Sequence, residues 1–424
     1  MQLTIEKIVY PGKSLGRNDG KVIFTNEGLA GEVVEVELQQ EKKRFAEAVT
    51  QKILTPSADR VAPRCDHYHT CGSYQYIPYA TQLALKHQQL REIVRENLTN
   101  GVDFPALEPS PQAWGYRNKL QAQILRHKDG TCIAAYHQPQ ARHRFVPFAA
   151  CALVSDRMNQ ALAKACALIS QSRAMHVQEL IIRESRTQDK LMLLLRGPTA
   201  IKNNALTRGL EALQQTDNVA SALFQTIPGR RITPLFGENL LAEKIDGKNF
   251  CFGAASFLQV NMGILDALIA YVRTSLSISA PHRVIDLYAG IGTFGLSLGE
   301  SASAAIFVES EPENVAFLKR NATAAKTKNR RVFAGRAEVA ITRLNLQNSD
   351  IIIVDPPRSG LDPQLCRQLC RKPVSALVYI SCDPMTLARD LKILSSAYQP
   401  THIKAFDFFP QTPHIETCCI LRPR

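Results

Sequence analysis

Cys382 ends the apolar run "SALVYISCDP" and is followed at once by Asp383 and Pro384. A thiol in that setting either fills the sheet or is held out as a nucleophile at the end of a strand, and the local pattern leaves both open. Asp355 ends a second apolar run, "IIIVDPPRSG", before two prolines that stiffen the turn. Contact with a bound molecule is a better reading of it than a turn cap. A third group lies in "DLYAGIGTFG", where Gly290, Gly292 and Gly295 form G-x-G-x-x-G, and Glu309 closes the next apolar run 17 residues beyond Gly292. Such glycines admit a ligand close to the backbone while the acidic residue takes ribose hydroxyls.

By itself that turn serves a nicotinamide dinucleotide and S-adenosylmethionine alike. Asp286, directly before it, tips the choice, because a carboxylate there suits a cationic amino-acid moiety and repels a pyrophosphate. The elements that must position these groups begin near residue 245. "HRVIDLYAG", "AAIFVES", "RRVFAG", "DIIIVDPP" and "SALVYISC" read as five short apolar strands, with helical segments after most of them. The alternation predicts α/β architecture with a doubly wound parallel sheet, whose ligands bind beyond the carboxyl ends of the strands. Each candidate above sits at such an end.

Upstream, residues 1–55 alternate apolar and polar in "LTIEKIVY", "KVIFT" and "GEVVEVELQQ", separated by "PGKSLGRNDG" and "NEGLAG", which read as turns. That pattern predicts a small β-barrel that binds nucleic acid, with Lys13, Arg17, Lys21, Lys42, Lys43 and Arg44 near its turns. "TPSADRVAPR" reads as a linker. Residues 60–240 read as a middle α+β region, with helices over 81–98 and near 156–172 and strands "KLQAQILRH", "ELIIRES" and "KLMLLLRG". The first helix carries Leu83, Leu90, Ile93, Val94 and Leu98 on one stripe and is expected to pack on the C-terminal domain, residues 245–424.

A formal net charge of +13 over 424 residues favours a polyanionic partner, nucleic acid first. Eleven cysteines, an odd number in apolar contexts, argue for reduced thiols and against a disulfide framework. No apolar run approaches the roughly 20 residues of a membrane helix, and "MQLTIEKIVYPG" is not a secretion signal. The expectation is a cytoplasmic monomer without a membrane partner.

Taken together, five motifs in order resemble the RNA uracil-C5 methyltransferases, particularly the ribosomal RNA branch with an N-terminal TRAM barrel. They are "FLQVN" (257–261), "DLYAGIGTF", "DPPR", "SCDPMTLARD" and "FFPQTPHIE". The resemblance implies a class I methyltransferase sheet, S-adenosyl-L-methionine as methyl donor and methylation of a uridine at carbon 5, in large-subunit ribosomal RNA or, as the near alternative, transfer RNA. Position by position it implies a donor site at Gln259, Tyr288, Thr293, Glu309 and Asp355, with Cys382 as nucleophile and Glu416 as general base. Arg117 and Asn118, in "YRNK", resemble a stretch near the target base.

Two departures stand out. Many family members hold an iron–sulfur cluster on four cysteines, three of them spaced C-x5-C-G-G-C. Here Cys65 and Cys71 keep the first spacing and Cys151 resembles the distant fourth, but Tyr74 occupies the third place. The expected site is therefore degenerate, with Asp66, His67 or His69 as substitute ligands, or zinc on Cys65, His67, His69 and Cys71. The second departure is Asp383 where the family has Asn, a carboxylate that opposes ionisation of Cys382 if it faces the thiol. Readings of other classes are an NAD-dependent oxidoreductase and a catalytically silent RNA-binding protein. The first leaves Cys382 and Glu416 without roles.

Overall fold

Five strands at the N-terminus close into a barrel in the computed structural model: Gln2–Val9, Lys13–Asn18, Lys21–Thr25, Val33–Glu41 and Phe45–Thr55. The residues described are 1–95, 102–138, 141–174, 176–200, 204–229, 231–277, 282–325 and 329–424. Alternation turns Leu3, Ile5, Ile23, Val34 and Val36 into the barrel core. "PGKSLGRNDG", expected as a turn, supplies a strand instead. Gly16 gives the reason, since a Cβ there would collide with the Thr4 carbonyl oxygen and glycine alone lets the neighbouring strand approach. This strand and the next also engage cations expected at turns: Lys13 pairs with Glu47 (2.8 Å), Arg17 with Glu6 (2.6 Å) and Lys21, at the start of Lys21–Thr25, with Glu41 (2.6 Å).

The middle region is a seven-stranded sheet in the order Ile232–Phe236, Val219–Thr226, Lys190–Gly197, Glu179–Ser185, Lys119–Arg126, Cys132–Gln138, Ala141–Phe148. Helices Asp156–Gln171 and Asn204–Asp217 cover one face, where Leu162, Ile169, Leu206 and Leu210 meet Leu193 and Leu195. From the opposite face Ile181, Met192 and Leu194 join Ile353 and Val378 of the C-terminal sheet in one continuous core. That two-sided burial explains why "ELIIRES" and "KLMLLLRG" read as near-unbroken apolar runs.

The C-terminal sheet runs Arg330–Ala334, Ala304–Glu309, Arg283–Leu287, Ile351–Val354, Ala376–Ser381, Glu416–Pro423, Tyr398–Phe406. The first five strands are parallel, and the five apolar segments of the sequence account for them. The last two are antiparallel and escape the sequence reading. Tyr398–Phe406 carries Pro400 and a register shift beside it, which disrupt its period.

Helix Tyr79–Val94 crosses from the middle region onto the C-terminal domain, where Leu90 and Val94 pack with Leu387 and Leu391. Leu98, assigned to the same stripe, lies outside the described residues. The buried face of this helix is also polar: Gln82, Lys86 and Gln89 are all enclosed. Lys86 Nζ donates to Asp407 Oδ1 at 2.7 Å, with both side chains fully buried.

Candidate active site

A cavity of about 620 Å³ opens at the carboxyl end of the parallel strands. Cys382 follows strand Ala376–Ser381, Asp355 follows Ile351–Val354, and Glu309 ends Ala304–Glu309; all three line the cavity. Glu416 begins the reversed strand, so its first residue lies where the parallel strands finish. Ser381 pairs with Thr417, and the next residues along, Cys382 and Glu416, leave the ladder side by side.

At the glycine turn the carboxylates divide their work. The Glu309 Oε2 accepts from the Gly290 N–H (2.8 Å) and its Oε1 from the Ser310 and Glu311 N–H groups (2.7 Å each). It is a rigid acceptor on the cavity wall, suited to ribose hydroxyls. Asp286, assigned from the sequence to a cationic ligand, lies beneath the turn instead. Its Oδ2 accepts from the Gly295 N–H at 2.8 Å, and burial pushes its carboxyl up to about 8. A Cβ on residue 295 would stand 2.7 Å from that oxygen, so glycine here serves the brace. Gly292 and Thr293 likewise shape the turn without lining the cavity; Thr293 opens the buried helix Thr293–Leu298.

Tyr288, Gly290, Gln259 and Asp355 do line it, and Gln259 Nε2 donates to Asp355 Oδ2 at 3.1 Å. Asn118 is one layer back, where its Nδ2 donates to the Gln259 carbonyl oxygen at 3.0 Å. Sequence reasoning missed Phe257, Asn314, Glu338, Arg358 and Phe409 on the same wall. Phe257 and Arg358 stand inside the quoted motifs "FLQVN" and "DPPR", which was the available signal.

Around the thiol the field is acidic. Burial, then Glu416 and Asp355, push Cys382 up to about 12, while the Arg358 guanidinium pulls it down. Burial raises Asp355 to about 7 against the Gln259 hydrogen bond. Burial and Asp355 hold Glu416 well above the carboxylate range, and its Oε1 has no hydrogen-bond partner among the described residues. Both groups are thereby biased toward their protonated forms. Arg358 stays beside them by hydrogen bonding His414 Nε2 at 3.1 Å; burial and nearby cations depress that imidazole to about 3, so it is neutral and accepts. Asp383 caps helix Pro384–Leu394, its Oδ1 accepting from the Met385 N–H (2.9 Å) and Thr386 N–H (3.2 Å). The helix N-terminus engages its charge, which nonetheless still adds to the upward push on Cys382 after burial, Glu416 and Asp355.

The cysteine segment forms a separate group. Ligand atoms of His67, Cys71 and Cys151 lie within 4.8 Å of one another. Cys65 is beside them, its Sγ 3.3 Å from Gln75 Nε2. Two members expected from the sequence are elsewhere. His69 faces Glu27 at 3.5 Å, and Tyr74 is enclosed with Ile8, Leu29, Tyr76 and Ile77. With a phenol turned into another core at the third place, the residues do not fit a cluster held by four thiolates. Arg117 belongs to this group and not to the cavity wall. It donates to the Cys71 carbonyl oxygen at 3.3 Å and lies 5.7 Å from the Tyr116 ring centroid.

A small closed barrel joined to a class I methyltransferase sheet, with a cavity at the carboxyl ends of its strands, defines the class of protein. Family models narrow it: residues 78–424 match tRNA (uracil-5-)-methyltransferase and residues 1–50 match the TRAM domain. The chain belongs to the tRNA (uracil-5-)-methyltransferase family and is an RNA (uracil-5-)-methyltransferase that draws its methyl group from S-adenosylmethionine. An uncharacterized RNA methyltransferase of Synechocystis sp. is 31% identical over 446 residues, covering 100% of this chain and 95% of that protein. A 23S rRNA (uracil(1939)-C(5))-methyltransferase of Shewanella amazonensis is 29% identical over 419 residues, covering 98% and 94%. The structure of Pyrococcus abyssi tRNA (uracil-54, C5)-methyltransferase with S-adenosyl-L-homocysteine shares the fold: TM-score 0.75, 22% identity, 99% of this chain and 100% of that one. Among the described residues no helix is long and apolar enough to cross a membrane.

Proposed function

We propose that this enzyme methylates carbon 5 of a uridine in large-subunit ribosomal RNA, with Cys382 as nucleophile and Glu416 as general base. One observation carries the mechanism: Cys382 and Glu416 leave adjacent strands side by side and open into the cavity that Gly290 and Glu309 also line. The ribosomal target is supported by the likeness over nearly both full lengths to the Shewanella enzyme, named for 23S rRNA.

Bound S-adenosylmethionine supplies an electrophilic methyl group. Gln259, Tyr288, Gly290, Glu309 and Asp355 hold it, while Asp286, Gly292 and Thr293 keep the turn in shape. Carbon 5 of uracil is too weak a nucleophile unaided. Cys382 gives up its proton to solvent water, its sulfur electron pair forms a bond to carbon 6, and the carbon 5–carbon 6 π electrons move out to carbon 5 and the carbon 4 oxygen, which makes carbon 5 nucleophilic. Once methylated, carbon 5 carries a surplus hydrogen. Ionised Glu416 takes that proton, the carbon 5–carbon 6 double bond returns, and the carbon–sulfur pair goes back to Cys382. The burial that raises Glu416 makes its carboxylate a stronger proton acceptor than an exposed glutamate. The uridine must be flipped out of its stack, at a cost of a few kcal/mol that RNA-backbone contacts from the barrel and the middle region offset. The setting is the cytoplasm, and the enzyme acts as a monomer.

Nucleoside mapping of ribosomal and transfer RNA from a deletion strain tests the target. Loss of one 5-methyluridine from 23S rRNA is expected. Loss from transfer RNA alone would overturn the ribosomal assignment and leave the mechanism standing, and no loss from either would overturn both.

A further inference from the structure

We propose that His67, Cys71 and Cys151, with Cys65 as fourth ligand, hold a single tetrahedral metal ion of the zinc class in place of a cluster. The first observation is spacing. The three ligand atoms lie within 4.8 Å of one another. Sulfurs on a single ion with bonds near 2.3 Å are about 3.8 Å apart, whereas a four-iron cluster inserts its own iron and sulfide between the thiolates and holds them wider. The second is an orphaned atom: His67 Nε2 is buried and has no hydrogen-bond partner of ordinary geometry among the described residues. Such an atom in a group of thiols is costly unless a ligand satisfies it. Cys65 lies beside His67 but outside that 4.8 Å group, its Sγ on Gln75 Nε2 at 3.3 Å, and it would be drawn in as the fourth donor when the ion binds.

The surroundings suit a closed structural site. Tyr136 and Phe148 stack on one another at 4.1 Å and meet the His67 ring at a tilt, centroids 5.7 and 5.1 Å away, giving it an apolar wall. Cys151 is pinned by Asn159, whose Oδ1 accepts its N–H at 2.9 Å and whose Nδ2 donates to its carbonyl oxygen at 3.1 Å. Three thiolates and a divalent ion leave one net negative charge, and the Arg117 guanidinium against the Cys71 carbonyl oxygen supplies the balancing cation. The ion staples the segment that follows the barrel to the middle region, and Asn118 carries that anchorage to the backbone of Gln259.

The test is metal analysis of the full-length protein, purified without chelators and scored for zinc, iron and acid-labile sulfide. About one zinc-class ion per chain without sulfide is expected, with loss of the ion in Cys151→Ser and in His67→Ala and retention in His69→Ala. Cobalt(II) exchanged into the wild type should give the intense visible bands of tetrahedral thiolate coordination. Should the variants fail to fold, alkylation of the wild type decides: zinc should protect Cys65, Cys71 and Cys151, mapped by mass. Iron with equimolar sulfide, a chain that takes up neither zinc nor cobalt, or full retention in His67→Ala would each overturn the proposal. None of these readouts depends on methyl transfer.

Discussion

Two thiol groups, one in the cavity of the C-terminal domain and one in the segment that follows the barrel, differ in company more than in burial. Cys382 stands among Glu416 and Asp355 with Arg358 as the opposing cation, and is driven up to about 12. Cys71 and Cys151 stand around an imidazole, with an arginine beside Cys71, and face no carboxylate among the charged groups that shape them. A carboxylate neighbour keeps a thiol protonated until a substrate rearranges the field, which suits a nucleophile needed once per turnover. Hydrogen bonds from Cys71 and then His67 bring Cys151 down to about 4 against burial, whereas Cys71, bonded to Cys151 and buried, is pushed up, so the pair offers one ready thiolate and one thiol that gives up its proton when a metal binds. The same residue type thus receives transient or permanent chemistry from the charges around it.

The contrast fails first at Cys382. Cys382→Ala should lower methylation of substrate RNA by on the order of 10⁴-fold or more, measured as transfer of labelled methyl, with circular dichroism and metal content unchanged. Glu416→Gln should permit addition and methylation but stall release, slowing turnover roughly 10² to 10⁴-fold. A retarded protein–RNA band on a denaturing gel checks it, and its absence would remove Glu416 from the role of base. Arg358→Met removes the cation that lowers Cys382. The thiol pKa rises further, so at a fixed pH below it the thiolate fraction falls, and iodoacetamide alkylation should slow about tenfold for a pKa higher by one. Because ionised Cys382 is the reactive form, the pH–rate profile of that variant should move to higher pH. The smallest effect belongs to Asp383: Asp383→Ala should cost about 1 kcal/mol of stability through the lost cap, and Asp383→Asn almost nothing. Thermal unfolding separates the two.

Much of this was legible in the sequence because parallel strands buried on both faces must be apolar throughout. "AAIFVES" and "DIIIVDPP" could hardly be anything else, and the residues ending them had to face the crevice. Resemblance added Cys382 and Glu416 as a pair, but only the reversed strand Glu416–Pro423 explains how they meet, and antiparallel pairing at a sheet edge leaves little trace in the residues themselves. Asp286 misled because adjacency to a glycine turn does not say on which side of the backbone a carboxylate lies. Gly295, with no side chain to obstruct it, lets that carboxylate brace the turn from below. His67 was one of several possible metal ligands in the sequence; its distinction from His69 comes from which neighbour each ring finds, Cys151 or Glu27.

Glu416 lies within the last nine residues of the chain, and its strand completes the sheet between two strands made earlier. The loop before it is tied by Asp407 to Lys86, 321 residues upstream. Glu416 therefore reaches its place only when its strand is inserted between two strands that precede it in the chain, whereas the donor turn rests on parallel pairings that do not involve that strand.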